Sequence, residues 1–99
     1  MYINLFTAEL KPGMVEDHAR FLKESVAPLL AKPKGFINLF ASVNPNTNKI
    51  ITILIWDSKE ASDTFLKDYE NEVTQSFAEG AKFFSLQPAN EEFEVIAKL

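Results

Sequence analysis

The strands implied by this sequence are apolar on both faces, and that constrains the fold more than any other feature. Tyr2 to Leu10 is rich in aromatic and branched residues and stops at Lys11-Pro12-Gly13, a turn signal. Tyr2, Phe6, Ala8 and Leu10 alternate on one side, Ile3 and Leu5 on the other. The pattern recurs in Phe36 to Val43, with Phe36 and Phe40 against Ile37, Leu39 and Val43. It recurs again in Lys49 to Trp56, which is nearly continuous in β-branched residues. A strand apolar on both sides must be covered on both. Yet 99 residues make one domain, residues 1–99, and leave no room for a second. A chain of this length buries only about 60–65% of the surface it exposes when unfolded. With 46% hydrophobic residues and nine Phe, it carries more bulky apolar surface than its own interior can take.

The segments between the strands supply the cover for one face. Met14 to Leu30 reads as a helix, because Val15, Ala19, Leu22, Val26, Leu29 and Leu30 fall on one stripe at about 100° per residue. Met14, His18, Phe21 and Ser25 widen the stripe, while Glu16, Asp17, Arg20, Lys23 and Glu24 form a solvated face. Pro28 removes a backbone donor near the end and predicts a kink or a weakened last turn. Asn44 to Asn48 is a polar hairpin loop. Asp57, with Glu60 three residues on, is the expected cap of a second helix, and Ser58 competes with it. That helix turns Ala61, Phe65 and Tyr69 (or Leu66) inward. Val73 and Phe77 extend the helical pattern to Gly80, read as a C-terminal stop. Ala81 to Leu86 is ambiguous between strand and extended chain, Pro88-Ala89-Asn90 reads as a turn, and Glu92 to Lys98 as a last strand.

The order β-α-β-β-α-β predicts an α+β, ferredoxin-like fold with one antiparallel sheet. Its helices cover one sheet face and leave the other bare. A bare apolar face of this size exceeds what monomers tolerate. A second copy packing sheet to sheet resolves the mismatch, so a homodimer is expected.

Composition excludes several kinds of chemistry. With no cysteine there is no disulfide, thiolate metal site or Cys nucleophile, and one histidine cannot make a His-rich metal site. Net charge is −4, and neither a basic surplus nor a basic stripe marks a nucleic-acid partner. Apolar runs fall far short of the roughly 20 residues that span a bilayer. The first residues show no basic region or cleavage site, so the expected location is the cytoplasm.

Two passages then carry a resemblance. Glu24 to Phe36, ESVAPLLAKPKGF, and Ile53 to Ala61, ILIWDSKEA, are similar to the helix–Pro–Gly–strand and strand–Trp–Ser–acidic–Ala passages of antibiotic biosynthesis monooxygenase domains, and Lys11-Pro12-Gly13 fits as well. The resemblance spans nearly the whole chain. It implies a dimeric α/β barrel, and for activity a monooxygenase that needs no cofactor and oxidises a small aromatic or quinol-like substrate. A haem-degrading branch carries Asn, Trp and His where this chain has Phe6, Phe65 and Gln75, so haem degradation is not expected. Other branches place histidines near the positions of Phe65 and Glu70, and these too are missing.

The candidate site residues follow from chemistry. His18 is the side chain whose ordinary pKa lies near neutrality, so it is the candidate proton acceptor; packing in the apolar arc is its other reading. Asn4 and Asn38 interrupt apolar strands and are candidates to hold an anion, unless they mark strand ends open to water. Trp56, Phe6, Phe36, Phe65, Phe77 and Tyr69 are the expected pocket wall. No metal site is expected. A second reading keeps the same barrel as a binding module for an apolar ligand, or as a protein without chemistry, with Phe side chains filling the space. Open volume between helices and sheet separates the two.

Overall fold

The computed structural model describes residues 1–99. Four strands, β1 (Tyr2–Leu10), β2 (Phe36–Val43), β3 (Lys49–Trp56) and β4 (Phe84–Glu94), form one antiparallel sheet in the order β2-β3-β1-β4. Helix α1 (residues 15–30), α2 (Lys59–Asp68) and α3 (Glu70–Gly80) follow the sequence order of a ferredoxin-like domain, and a 3-10 turn, Ala81–Phe83, leads into β4. The extents of 36 × 33 × 19 Å are those of a helix layer on a single sheet.

Central strand β1 organises the interior. Its register sets Tyr2 opposite Trp56, Asn4 opposite Leu54, Phe6 opposite Thr52 and Ala8 opposite Ile50. Tyr2, Leu29, Leu30, Trp56 and Phe65 form a buried cluster at one end of the strand. Ala8, Leu10, Ile50 and Phe83 form another at the other end. The core is therefore split in two, with Asn4, Phe6 and Leu54 between the halves. Only 13 of 99 residues are buried. On the far face Phe40, Phe93 and Leu86 are 53%, 43% and 62% exposed, and Ile51 is exposed beside them. The structure thus leaves bare the sheet face that the sequence requires to be covered.

Several local expectations are corrected. Helix α1 is α-helical over Val15–Phe21 and Ala27–Leu30, with a π-helical stretch, Leu22–Val26, between them. The Ala27 N–H reaches back five residues to the Leu22 carbonyl. Pro28 has no N–H, and its ring crowds the carbonyl four residues earlier, so the helix widens just before it instead of fraying after it. One extra residue rotates the helix by about 100°. Val15, expected on the apolar stripe, is accordingly exposed, while Phe21 lies against Phe83 at 5.3 Å.

In β2 the register slips between Phe36 and Asn38. This bulge puts Phe36 on the face of Leu39, not that of Phe40. Ser58 caps α2 in place of Asp57, its Oγ accepting from the Ala61 N–H at 3.1 Å. Gly80 does end α3, but with a right-handed φ of −77° and a following 3-10 turn in place of a left-handed cap. Its lack of a side chain admits Phe21, whose Cε2 would stand 3.2 Å from an added Cβ. Pro88-Ala89-Asn90 lies inside β4, and the strand runs from Phe84 to Glu94 instead of Glu92 to Lys98. An edge strand tolerates Pro, and the register shifts opposite Thr7 to Leu10 absorb it.

One glycine joins the strand ends. Gly35 precedes β2 with φ 86° and accepts from the Asp57 N–H at 2.8 Å. A Cβ there would stand 2.6 Å from Asp57 Oδ1 and 2.7 Å from Ala61 Cβ. Gly35→Ala combines a left-handed backbone with a collision, so it is expected to cost about 2–4 kcal/mol. Urea unfolding followed by circular dichroism reads that loss; a change below about 0.5 kcal/mol contradicts it.

Candidate functional site

The gap between the two core clusters is a cavity of about 140 Å³ under α1. For scale, an engineered cavity of about 150 Å³ lined by aliphatic and aromatic side chains binds benzene. Phe6, Leu39, Thr52 and Leu54 form its floor on the sheet, and Leu22, Val26 and Leu29 its roof on α1. Leu66 and Phe77 line it too and remain 44% and 48% exposed, so the mouth lies between the helices. The Phe6 and Phe77 rings meet at 5.6 Å. Volume therefore remains after the Phe side chains are placed, which favours the reading with a bound small molecule over the filled interior.

His18 stands toward the Leu10 end of the cavity. It is 5% exposed and packs on Phe83 and Phe84, at 5.4 and 5.2 Å and steep interplanar angles. Phe84 pairs with Leu10 in the sheet. The Nδ1 atom is enclosed without a hydrogen-bond partner, and His18 is among the residues that line the cavity. Burial pushes the imidazole pKa below its ordinary value, so His18 is neutral at neutral pH and able to accept a proton.

The same depression makes a stability prediction. Below about pH 6.5 the unfolded chain takes up a proton at His18 that the folded chain resists, so stability falls with falling pH and is unaffected above that value. Thermal unfolding between pH 7.5 and 5 is expected to decline less steeply in His18→Phe than in the unsubstituted protein. Equal slopes contradict this.

Asn4 stands at the other end, 6% exposed and within a hydrogen-bonded cluster. Its Oδ1 accepts from Trp56 Nε1 at 2.8 Å and from Ser62 Oγ at 3.1 Å. Its Nδ2 donates to Glu92 Oε1 at a long 3.4 Å. Trp56 and Ser62 are wholly buried. Burial raises the Tyr2 phenol pKa, and the Glu92 carboxylate adds to the effect. Asn4 and Leu10 lie toward opposite ends of β1, so Asn4 and His18 line opposite ends of the cavity.

The remaining candidates divide. Trp56, Phe6, Phe65 and Phe77 line the cavity. Phe36 does not; it braces Trp56 edge-on at 5.4 Å from behind. Tyr69 does not either; it packs on Phe65 at 5.5 Å and lines a separate polar cleft beside Lys32, whose Nζ is 5.9 Å from its ring. Asn38 is exposed on β2, where its Oδ1 accepts from the Leu39 N–H at 2.9 Å, and it takes no part in the cavity. Gln75 is exposed and donates to Glu79 at 3.0 Å. Sequence reading missed Ser62. Its only signal is a position one turn before Phe65 on the inward side of α2.

The fold has close structural counterparts. A monooxygenase of Streptomyces coelicolor, ActVA-Orf6, solved with nanaomycin D, superposes with a TM-score of 0.83 at 9% identity, covering 99% of this chain and 89% of that one. A protein of Deinococcus radiodurans provisionally named an antibiotic biosynthesis monooxygenase has a TM-score of 0.77 at 16% identity, covering 100% and 96%. A Nitrosomonas europaea protein of unknown function has a TM-score of 0.72 at 21% identity, covering 99% and 91%. No protein-family model and no curated protein matches the sequence. At these identities the likeness establishes the fold, which is that of antibiotic biosynthesis monooxygenase domains. No helix is long and apolar enough to cross a membrane.

Proposed function

We propose that the chain is a monooxygenase of the antibiotic biosynthesis type that acts as a cytoplasmic homodimer. It oxidises a small aromatic or quinol-like substrate in the cavity under α1, with no cofactor. The observation that carries this reading is an apolar cavity with a neutral, unpaired histidine at one end and a buried amide at the other.

In this reading His18 Nε2 takes a proton from the substrate, and the resulting anion is electron-rich enough to reduce O₂ itself. Asn4 holds a substrate oxygen by hydrogen bonding as negative charge spreads onto it. Oxidation of an activated ring CH₂ then balances without a further reductant. The carbon gives up two hydrogens and gains one oxygen atom as a carbonyl, and the second oxygen atom leaves with those hydrogens as water. The cavity walls, Phe6, Leu54, Phe65 and Trp56, exclude solvent from the anion. The bare sheet face supports the dimer, since Leu5, Ile53 and Phe40 lie side by side across three strands with no helix above them.

Oxygen uptake with a panel of anthrones and naphthoquinols, without added metal or flavin, tests the reading. Uptake that falls at least tenfold in His18→Ala supports it. No uptake across the panel contradicts the enzyme, and uptake indifferent to His18→Ala contradicts the assigned base.

A further inference from the structure

Asn4 is the one amide buried at the cavity, and its orientation is not free. A tryptophan indole nitrogen can only donate, and Trp56 Nε1 lies 2.8 Å from one Asn4 side-chain atom, which is therefore the oxygen. Ser62 Oγ lies 3.1 Å from the same oxygen and donates to it. Both lone pairs of Oδ1 are thus taken by wholly buried donors. The Nδ2 group carries two hydrogens, of which Glu92 accepts one at 3.4 Å. The other has no protein partner. Flipping the amide would set Nδ2 against the Trp56 N–H, which can only donate, and turn the oxygen toward the Glu92 carboxylate, an arrangement that is strongly disfavoured.

We propose that Ser62, together with Trp56, is a positioning residue that locks Asn4 as a hydrogen-bond donor, making the cavity selective for aromatic molecules that bear a carbonyl or quinone oxygen. This rests on the reading of the cavity as a binding site for an aromatic molecule. Ser62 itself does not touch the ligand; it acts through Asn4. The selectivity arises because an oxygen-free ring leaves the Nδ2 hydrogen unpaired, whereas a carbonyl oxygen satisfies it.

Trp56, the chain's single tryptophan, lines the cavity and reports occupancy through its fluorescence. The chain has no cysteine for a quinone to alkylate. Titration with naphthalene and with 1,4-naphthoquinone is expected to show tighter binding of the quinone. In Ser62→Ala the quinone should weaken about three- to tenfold while naphthalene changes less than twofold. Ser62→Thr, which keeps the hydroxyl, should restore the preference. Asn4→Asp keeps acceptors for Trp56 and Ser62 but loses the donor, and should abolish the preference with naphthalene binding retained. Equal weakening of both probes in Ser62→Ala assigns Ser62 to packing alone and overturns the proposal. So does a quinone preference that survives Asn4→Asp, or its absence in the unsubstituted protein. If the unsubstituted protein binds neither probe, the cavity reading itself fails and takes this inference with it.

Discussion

Replacing Trp56 with alanine is expected to cost about 3–5 kcal/mol, enough to unfold much of a domain whose total stability is of order 5–15 kcal/mol. Trp56 is wholly buried at the end of β3 and joins three systems. Its ring packs with Phe36 at 5.4 Å and Phe65 at 5.3 Å, tying the sheet to α2. It belongs to the cluster of Tyr2, Leu29 and Leu30, which anchors the end of α1. Its indole N–H satisfies Asn4 Oδ1. Alanine removes all three at once and enlarges a cavity that is already present. Trp56→Phe retains most of the apolar area but loses the donor, so its cost should be smaller, about 1–3 kcal/mol. Far-ultraviolet circular dichroism in urea measures both. A loss below about 1 kcal/mol for Trp56→Ala contradicts the central place given to this side chain.

The second large effect concerns the bare face. Ile53 lies at its centre, paired with Leu5 on one side and Phe40 on the other. Ile53→Lys sets a charge in the middle of the surface that the proposed dimer buries. Breaking an apolar interface of this kind is expected to shift the sedimenting mass from twice 11.2 kDa to 11.2 kDa at micromolar concentration. The cavity lies on the opposite, helical face, so the substituted chain should retain its secondary structure. If the unsubstituted protein already sediments at 11.2 kDa, the dimer is wrong and the exposed Phe40, Phe93 and Leu86 need another explanation.

The alternation of large apolar residues in β1 and β3 makes the sheet and its unburied face legible in the sequence, because side chains in a strand point to opposite faces with period two. The α1 stripe is legible for a similar reason, and so is the place of His18 within it. What the sequence hides are departures from those periods. The bulge at the start of β2 moves Phe36 to the face of Leu39, and the π-helical stretch in α1 turns Val15 outward. Both are changes of backbone hydrogen bonding, and side-chain hydrophobicity does not record them. The proline inside β4 reads as a turn because its tolerance depends on edge position, a tertiary fact.

The candidate site divides along the same line. Phe6, Phe65, Phe77 and Trp56 line the cavity because apolar residues on the inward faces of these elements converge there. Asn38 looks equivalent to Asn4 in sequence, each an amide interrupting an apolar strand. Strand position separates them. Asn4 lies on the central strand beneath α2 and meets Trp56 and Ser62, whereas Asn38 follows the β2 bulge and bonds the adjacent backbone. Ser62 sits between Ala61 and Asp63 and gives no apolar signal, although its side chain is wholly buried.

The claim on which the rest depends is that the space under α1 receives an aromatic molecule. A crystal structure of the protein grown with 1-naphthol tests it most directly. The account predicts a ring between Phe6 and Leu54 of the sheet and Leu22 and Val26 of α1, its hydroxyl within hydrogen-bond distance of His18 Nε2. A cavity left empty at saturating ligand, or naphthol bound only elsewhere on the surface, would contradict it.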